Sequence, residues 1–135
     1  MTKKRVILCV VGVVAVVGLF FLGRMIMGFV RYQQIISGIE IQTPNLSRIQ
    51  DGTYNGFLDA LQISANAAVT VRNHRITEVV INNHYMGRAS AVAAEAVVVD
   101  VVNRQTLEVD TVSGATNSSK VILKAIQNAL ESGVR

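Results

Sequence analysis

Side chains able to do chemistry are concentrated in one run, Asp110-Thr111-Val112-Ser113-Gly114-Ala115-Thr116-Asn117-Ser118-Ser119-Lys120. It carries five hydroxyls, a carboxylate and an amine in eleven residues. Hydroxyls at the start of a helix can bind an anion, and one that is activated can act as a nucleophile. With an anion held there, the Thr116 hydroxyl would lie beside it.

The elements around this run decide how it is presented. Thr106 to Val109 alternates and is rich in β-formers, which predicts a short strand. Gly114 permits a sharp turn or a close approach by a ligand. From Val121 the apolar residues Val121, Ile122, Ala125, Ile126, Ala129 and Leu130 fall at helical spacing. Thr116, Asn117, Ser118 and Ser119 are each able to cap that helix. Its N-terminus offers unpaired N–H groups and a positive dipole end, suited to a phosphate. On these small residues alone the plainer account, a capped strand-turn-helix with no ligand, takes precedence.

A longer span changes the balance. Gln105 to Ser119, with Asp110, Ser113-Gly114-Ala115-Thr116 and then Asn117-Ser118-Ser119, resembles the flavinylation segment of the FMN-binding domain family. That family includes domains of sodium-pumping quinone reductases and electron-transport complexes. The resemblance implies FMN joined through its phosphate to Thr116, by a separate flavin transferase that uses FAD. It also implies a part for Asp110 in the transferase signature, whose plainer role is to shape the turn through bonds to backbone N–H groups. Asp51-Gly52-Thr53-Tyr54-Asn55-Gly56 resembles the D-G-T-Y-x-G opening of the same family, in the expected order along the chain. Gly56 there marks a bulge or a close approach by another backbone.

The 135 residues allow one small domain and a tail, and the net charge is +4. Residues 1–31 hold five of the thirteen basic residues and no acid. Residues 32–135 hold eight basic residues against nine acids, a balance of −1. The basic character therefore belongs to the N-terminal segment, and the remainder has no footprint for nucleic acid. Cys9 stands alone, which excludes an intramolecular disulfide, and two histidines make a protein metal site an unsuitable reading.

Lys3, Lys4 and Arg5 precede an uncharged run from Val6 to Gly23, and Met25 to Val30 continues the apolar character beyond Arg24. Eighteen uncharged residues are at the short end of a membrane span, and Arg24 can snorkel to extend it. No small-x-small site follows cleanly, so residues 1–31 read as an uncleaved signal anchor, with cleavage as the runner-up. The compact basic cluster at the N-terminus predicts that this end is cytoplasmic and the rest extracytoplasmic. Residues 32–50, with Thr43-Pro44-Asn45, read as a juxtamembrane spacer, and residues 51–135 as the folded domain.

Within that domain, Ala67 to Val71 and Ile76 to Ile81 predict two strands joined by a tight turn at Asn73-His74, with His74 solvated. Asn82 to Arg88 reads as a loop. Family members often have a histidine there, so the resemblance implies that His84 lies near the flavin ring; a loop histidine bonded to backbone or water is the alternative. Ala89 to Asn103 predicts a helix, with a buried strand through Ala96 to Val102 as the alternative. Val92, Ala93, Ala96, Val99 and Asp100 recur along it at helical steps. Lys120 can pair with the phosphate or lie on a solvated face.

The expected order is membrane helix, spacer, three strands, helix, strand, helix. That is an α+β fold, a small antiparallel sheet with packed helices behind one N-terminal transmembrane helix. The functional expectation, implied by the resemblance, is a membrane-anchored carrier of electrons with no catalysis of its own. Its FMN site comprises Thr116, Ser113, Gly114, Ala115, Asp110, Asn117, Ser118 and His84. Its expected partners are the flavin transferase and a membrane quinone reductase or other electron donor. The alternatives are a non-covalent FMN-binding or sensing module, and a flavin-free surface interaction domain.

Overall fold

The computed structural model describes residues 2–85 and 88–135, with side chains described outside 83–95. The elements are helix α1 (Lys3–Ser37), strands β1 (Gly52–Asp59), β2 (Ser64–Arg72) and β3 (Arg75–Tyr85), and helices α2 (Arg88–Arg104) and α3 (Thr116–Ser132). A short 3-10 turn at Leu46–Arg48 precedes β1. The chain divides into two compact units, residues 1–34 and 35–135.

The first unit is the greater part of α1. Its most apolar eighteen residues have a mean hydropathy of 3.0, and none of that window is buried. Large apolar side chains from Val6 to Val30 are exposed, which a core helix in water would not tolerate. A helix satisfies its backbone polar groups internally, and it is long and apolar enough to cross a membrane.

The second unit is an antiparallel sheet in the order β1-β2-β3 with α2 and α3 packed on it. The fold is therefore α+β with an N-terminal apolar helix, as the sequence predicts. Asn73 and His74 both have positive φ, 51° and 60°, and form the two-residue turn between β2 and β3. That conformation matches the twist of the flanking strands. His74 is exposed but not merely solvated. Its Nδ1 lies 3.2 Å from the Ile49 carbonyl oxygen and 3.3 Å from that of Leu46.

One face of the sheet is made for close contact. Ala65, Ala67, Val69 and Val71 alternate along β2 as fully buried residues, and α3 lies across β1 and β2. Gly56 in β1 is paired with Ala67. A Cβ on Gly56 would fall 2.0 Å from the Ala125 carbonyl oxygen and 2.2 Å from the Ala129 nitrogen. Close approach of the α3 backbone is thus the reason for this glycine. At the far end of the same helix, a Cβ on Gly133 would meet the Tyr54 ring at 2.6 Å. The Tyr54 hydroxyl donates to the Gln50 carbonyl at 2.9 Å. Tyr54 and Gly56, on one face of β1, are therefore part of the surface on which α3 is seated, while Thr53 and Asn55 are exposed.

Residues 35–50 belong to the compact unit. Ile36 and Ile49 are buried, and Ile49 bridges to Val134. The Gln42 N–H donates to Gln127 Oε1 at 3.0 Å, and Lys124 Nζ donates to the Glu40 carbonyl at 3.2 Å. This strap is thus tied to α3 at Lys124 and Gln127. With the sheet and α2 also packed on this helix, ten of its residues, including polar Ser118, Ser119 and Gln127, are buried.

Three local expectations differ. Residues 106–109 form no strand, and the sheet has three strands rather than four. Gln105, at the end of α2, takes the left-handed φ of 56°, and its N–H bonds the Val101 carbonyl. Its side-chain amide then accepts from the Ile76 N–H and donates to the Ile76 carbonyl, each at 2.8 Å. A side chain thus supplies the pairing that a fourth strand would have made at this position on β3. β3 in turn runs to Tyr85, so Asn82 to Tyr85 are strand rather than loop, with His84 paired to Ala65. Finally, α2 is a helix, but among its described side chains Val97 and Val101 are the buried ones. Ala96, Val99 and Asp100 are exposed. Valines on both sides of the helix hid its buried stripe.

Candidate functional site

The segment between α2 and α3 has no regular structure, yet it is fixed at several points. Leu107 is fully buried, and its N–H donates to Thr43 Oγ1 at 2.9 Å. The Thr43 and Thr106 hydroxyls are 2.9 Å apart, and Thr106 Oγ1 accepts from the Glu108 N–H at 3.1 Å. One end is thereby tied to the strap, and Gln105 ties it to β3.

At the other end, Val112-Ser113-Gly114-Ala115 is a tight turn closed by the Ala115 N–H bonding the Val112 carbonyl at 2.9 Å. Gly114 occupies its third position with φ +80°, the conformation that favours glycine there. A Cβ on Gly114 would meet no heavy atom within 4 Å, so conformation rather than space demands the glycine. Ser113 and Gly114 are exposed, while Ala115 is buried.

Helix α3 begins at Thr116. Its N-cap is Ala115, with φ −132° and ψ 31°, and no side chain bonds the helix start from that position. None of the four hydroxyl and amide residues is the N-cap. Thr116, Asn117 and Ser118 are instead the first three helical residues, at the positive end of the helix dipole. Thr116 is exposed, Asn117 half-buried and Ser118 buried.

Ser119 has a different task. It is completely buried; its hydroxyl accepts from the Val112 N–H at 3.2 Å and donates to the Ala115 carbonyl at 2.9 Å. Its own N–H bonds that same carbonyl at 2.8 Å. Serine bonding back to the carbonyl four residues earlier is a familiar helical habit. Here the same oxygen also receives a donor from the preceding turn, a link that local sequence patterns do not reveal.

Asp110 is exposed, and among the described residues its carboxylate accepts no hydrogen bond. The turn is shaped by Gly114 and Ser119 rather than by this acid. Lys120 is half-buried. His84 lies in β3, and its side chain is outside the described residues, as are Met86 and Gly87. The structure thus brings Ser113, Gly114, Ala115, Thr116, Asn117 and Ser118 together at one turn. Among the described residues no group of His, Cys, Asp and Glu could hold a metal ion.

These features fit the phosphate end of a flavin nucleotide. An exposed hydroxyl stands on an uncapped helix start, and the preceding glycine leaves open space. Comparison with curated proteins finds none that matches this chain. The sequence model of the FMN-binding domain matches residues 23–131. The match takes in the strap, all three strands, α2 and nearly all of α3. The match covers most of the chain, which therefore belongs to the FMN-binding domain family.

Proposed function

We propose that this protein is a membrane-anchored flavoprotein that carries electrons through FMN attached by a phosphoester to Thr116. The observation that carries the reading is Thr116 itself: exposed, first in α3, and one residue beyond a buried Ala115 that no side chain displaces as cap. An attacking hydroxyl must be reachable, and a helix start favours the phosphate it acquires.

The attachment balances with FAD as donor. The Thr116 oxygen forms a bond to the FMN phosphorus, the phosphoanhydride bond to AMP breaks, and the hydroxyl proton is lost. AMP leaves, and no electron is gained or spent in this step. Asp110 is exposed and unbonded among the described residues, which supports its being read by the transferase. When bound, FMN supplies one- and two-electron transfer, and the protein contributes its position and surroundings. A covalent link keeps it with a domain outside the cytoplasm, where a diffusible cofactor would be lost. Lys3, Lys4 and Arg5 before the apolar run of α1 favour that orientation, with residues 35–135 extracytoplasmic and electrons supplied by a membrane quinone reductase or similar donor. Protease added to intact cells then removes residues 35–135, and their survival until lysis would refute the topology.

The deciding experiment co-produces the full chain with a flavin transferase and measures intact mass in detergent. The expected gain is FMN less one water, with a fluorescent band after denaturation. Thr116→Ala abolishes both. Its effect on stability is small, below the roughly 1 kcal/mol of a lost cap, because Thr116 does not cap the helix. A wild-type chain that never gains this mass, yet binds FMN reversibly, would instead be a non-covalent module.

A further inference from the structure

We propose that Ser119 is a positioning residue for flavin attachment, holding the Val112–Ala115 turn against the first turn of α3 so that Thr116 presents its hydroxyl in one orientation. The inference rests on Thr116 being the acceptor.

Three observations converge on Ser119. Its side chain is completely buried, so it meets neither transferase nor flavin directly. Its hydroxyl is satisfied on both sides, accepting from the Val112 N–H at 3.2 Å and donating to the Ala115 carbonyl at 2.9 Å. Those two partners bracket the turn, one before Ser113 and the other immediately before Thr116.

The turn itself has few other restraints among the described residues. The N-cap contributes no side-chain bond, and Asp110 makes none among the described residues. The turn closes on itself through the single Ala115-to-Val112 backbone bond. Gly114, at φ +80° with open space around it, has no side chain to hold the turn in place. The strap and β3 fix the segment only as far as Glu108. Among the described residues, the Ser119 hydroxyl ties the stretch after Glu108 to the first turn of α3. Group transfer requires the attacking oxygen in line with the bond that breaks, and misplacement by about an ångström can cost a hundredfold in rate.

The test measures transferase kinetics with FAD on the full chain in detergent, reading covalent flavin by in-gel fluorescence. Ser119→Ala removes the hydroxyl; Ser119→Cys nearly keeps the volume and offers only a weak hydrogen bond, which guards against a folding failure of the alanine variant. In either folded variant, kcat for labelling is expected to fall at least about tenfold. The apparent KM for the protein should stay within roughly twofold, because exposed Asp110 and Ser113 remain to be recognised. Faster hydrogen exchange at the Val112 amide should accompany the loss.

Ile126→Val, a buried change in the same helix but distant from the turn, controls for lower stability and should label at the wild-type rate. Wild-type kcat in Ser119→Ala, or an equal loss of kcat in Ile126→Val, overturns the proposal. Failure of the parent reading looks different: Thr116→Ala would still acquire covalent flavin.

Discussion

Replacing Gly56 with alanine tests the seating of α3 on β1 with a single methyl group. Its Cβ would lie 2.0 Å from the Ala125 carbonyl oxygen, 2.2 Å from the Ala129 nitrogen and 2.8 Å from the Ala129 Cα. Restoring an ordinary contact of 3.4 Å from 2.0 Å requires the two backbones to part by about 1.4 Å. All three obstructing atoms are backbone, so no rotamer change relieves the clash. Parting also loosens the contacts of Ala125 and Ala129, both fully buried, across a closely packed interface. Overpacking a core costs typically 1–3 kcal/mol where side chains can adjust; here about 3 kcal/mol or more is expected. For a domain of this size that lowers Tm by roughly 12–24 °C.

The measurement is pulse proteolysis of the full chain in detergent across temperature, following residues 35–135. Two companion variants sharpen it. Ala129→Gly added to Gly56→Ala does not restore stability, because the Ala129 nitrogen and Cα remain in the way. Gly114→Ala meets open space and carries only the left-handed φ of +80°, so it costs about 1–2 kcal/mol. If Gly56→Ala melts within about 2 °C of wild type, or if Ala129→Gly rescues it, the close approach is not what the glycine serves.

Two further substitutions divide structure from chemistry. Gln105→Gly keeps the left-handed backbone at φ 56° and deletes the amide bonds to Ile76 and Val102, so a loss of about 2–3 kcal/mol by the same assay is expected; no change would mean that β3 does not depend on this side chain. Asp110→Ala should leave stability unchanged within about 0.5 kcal/mol, since its exposed carboxylate is unbonded among the described residues, while flavin incorporation by the transferase falls sharply; labelling at the wild-type rate would remove Asp110 from the recognition signal.

What could be read from sequence was what depends on neighbours along the chain. The hairpin at Asn73-His74, the α3 periodicity and the Gly114 turn all follow from local chemistry. What could not be read depends on distant partners. Thr106 to Val109 has strand composition, but Gln105 already pairs with Ile76, and Thr43, over sixty positions away, takes the Leu107 N–H. The strap was equally opaque: its contacts with α3 run through backbone groups of Glu40 and Gln42, which carry no compositional mark. At the site, the sequence grouped four small polar residues as equal capping candidates. Burial separates them, leaving Thr116 exposed and Ser119 enclosed.

This separation has a consequence for how the second unit tolerates change. Helix α3 is held by the sheet through Gly56, by the strap through Lys124 and Gln127, and by the preceding turn through Ser119. The first two attachments lie beyond its first two turns and govern whether the unit folds. The third lies within the first turn and fixes how the chain enters the helix. Substitutions near Ala125, Gln127 or Ala129 should therefore change stability, and lower attachment only as far as they lower the folded fraction, each folded molecule labelling at the wild-type rate. Substitutions at Val112, Gly114 or Ser119 should change attachment in a chain that is still folded. A helix with so many buried residues can hold its first residue still without any contribution from that residue's own side chain. Thr116 is thus free of structural duty, which is the condition under which its hydroxyl can be given over to a cofactor.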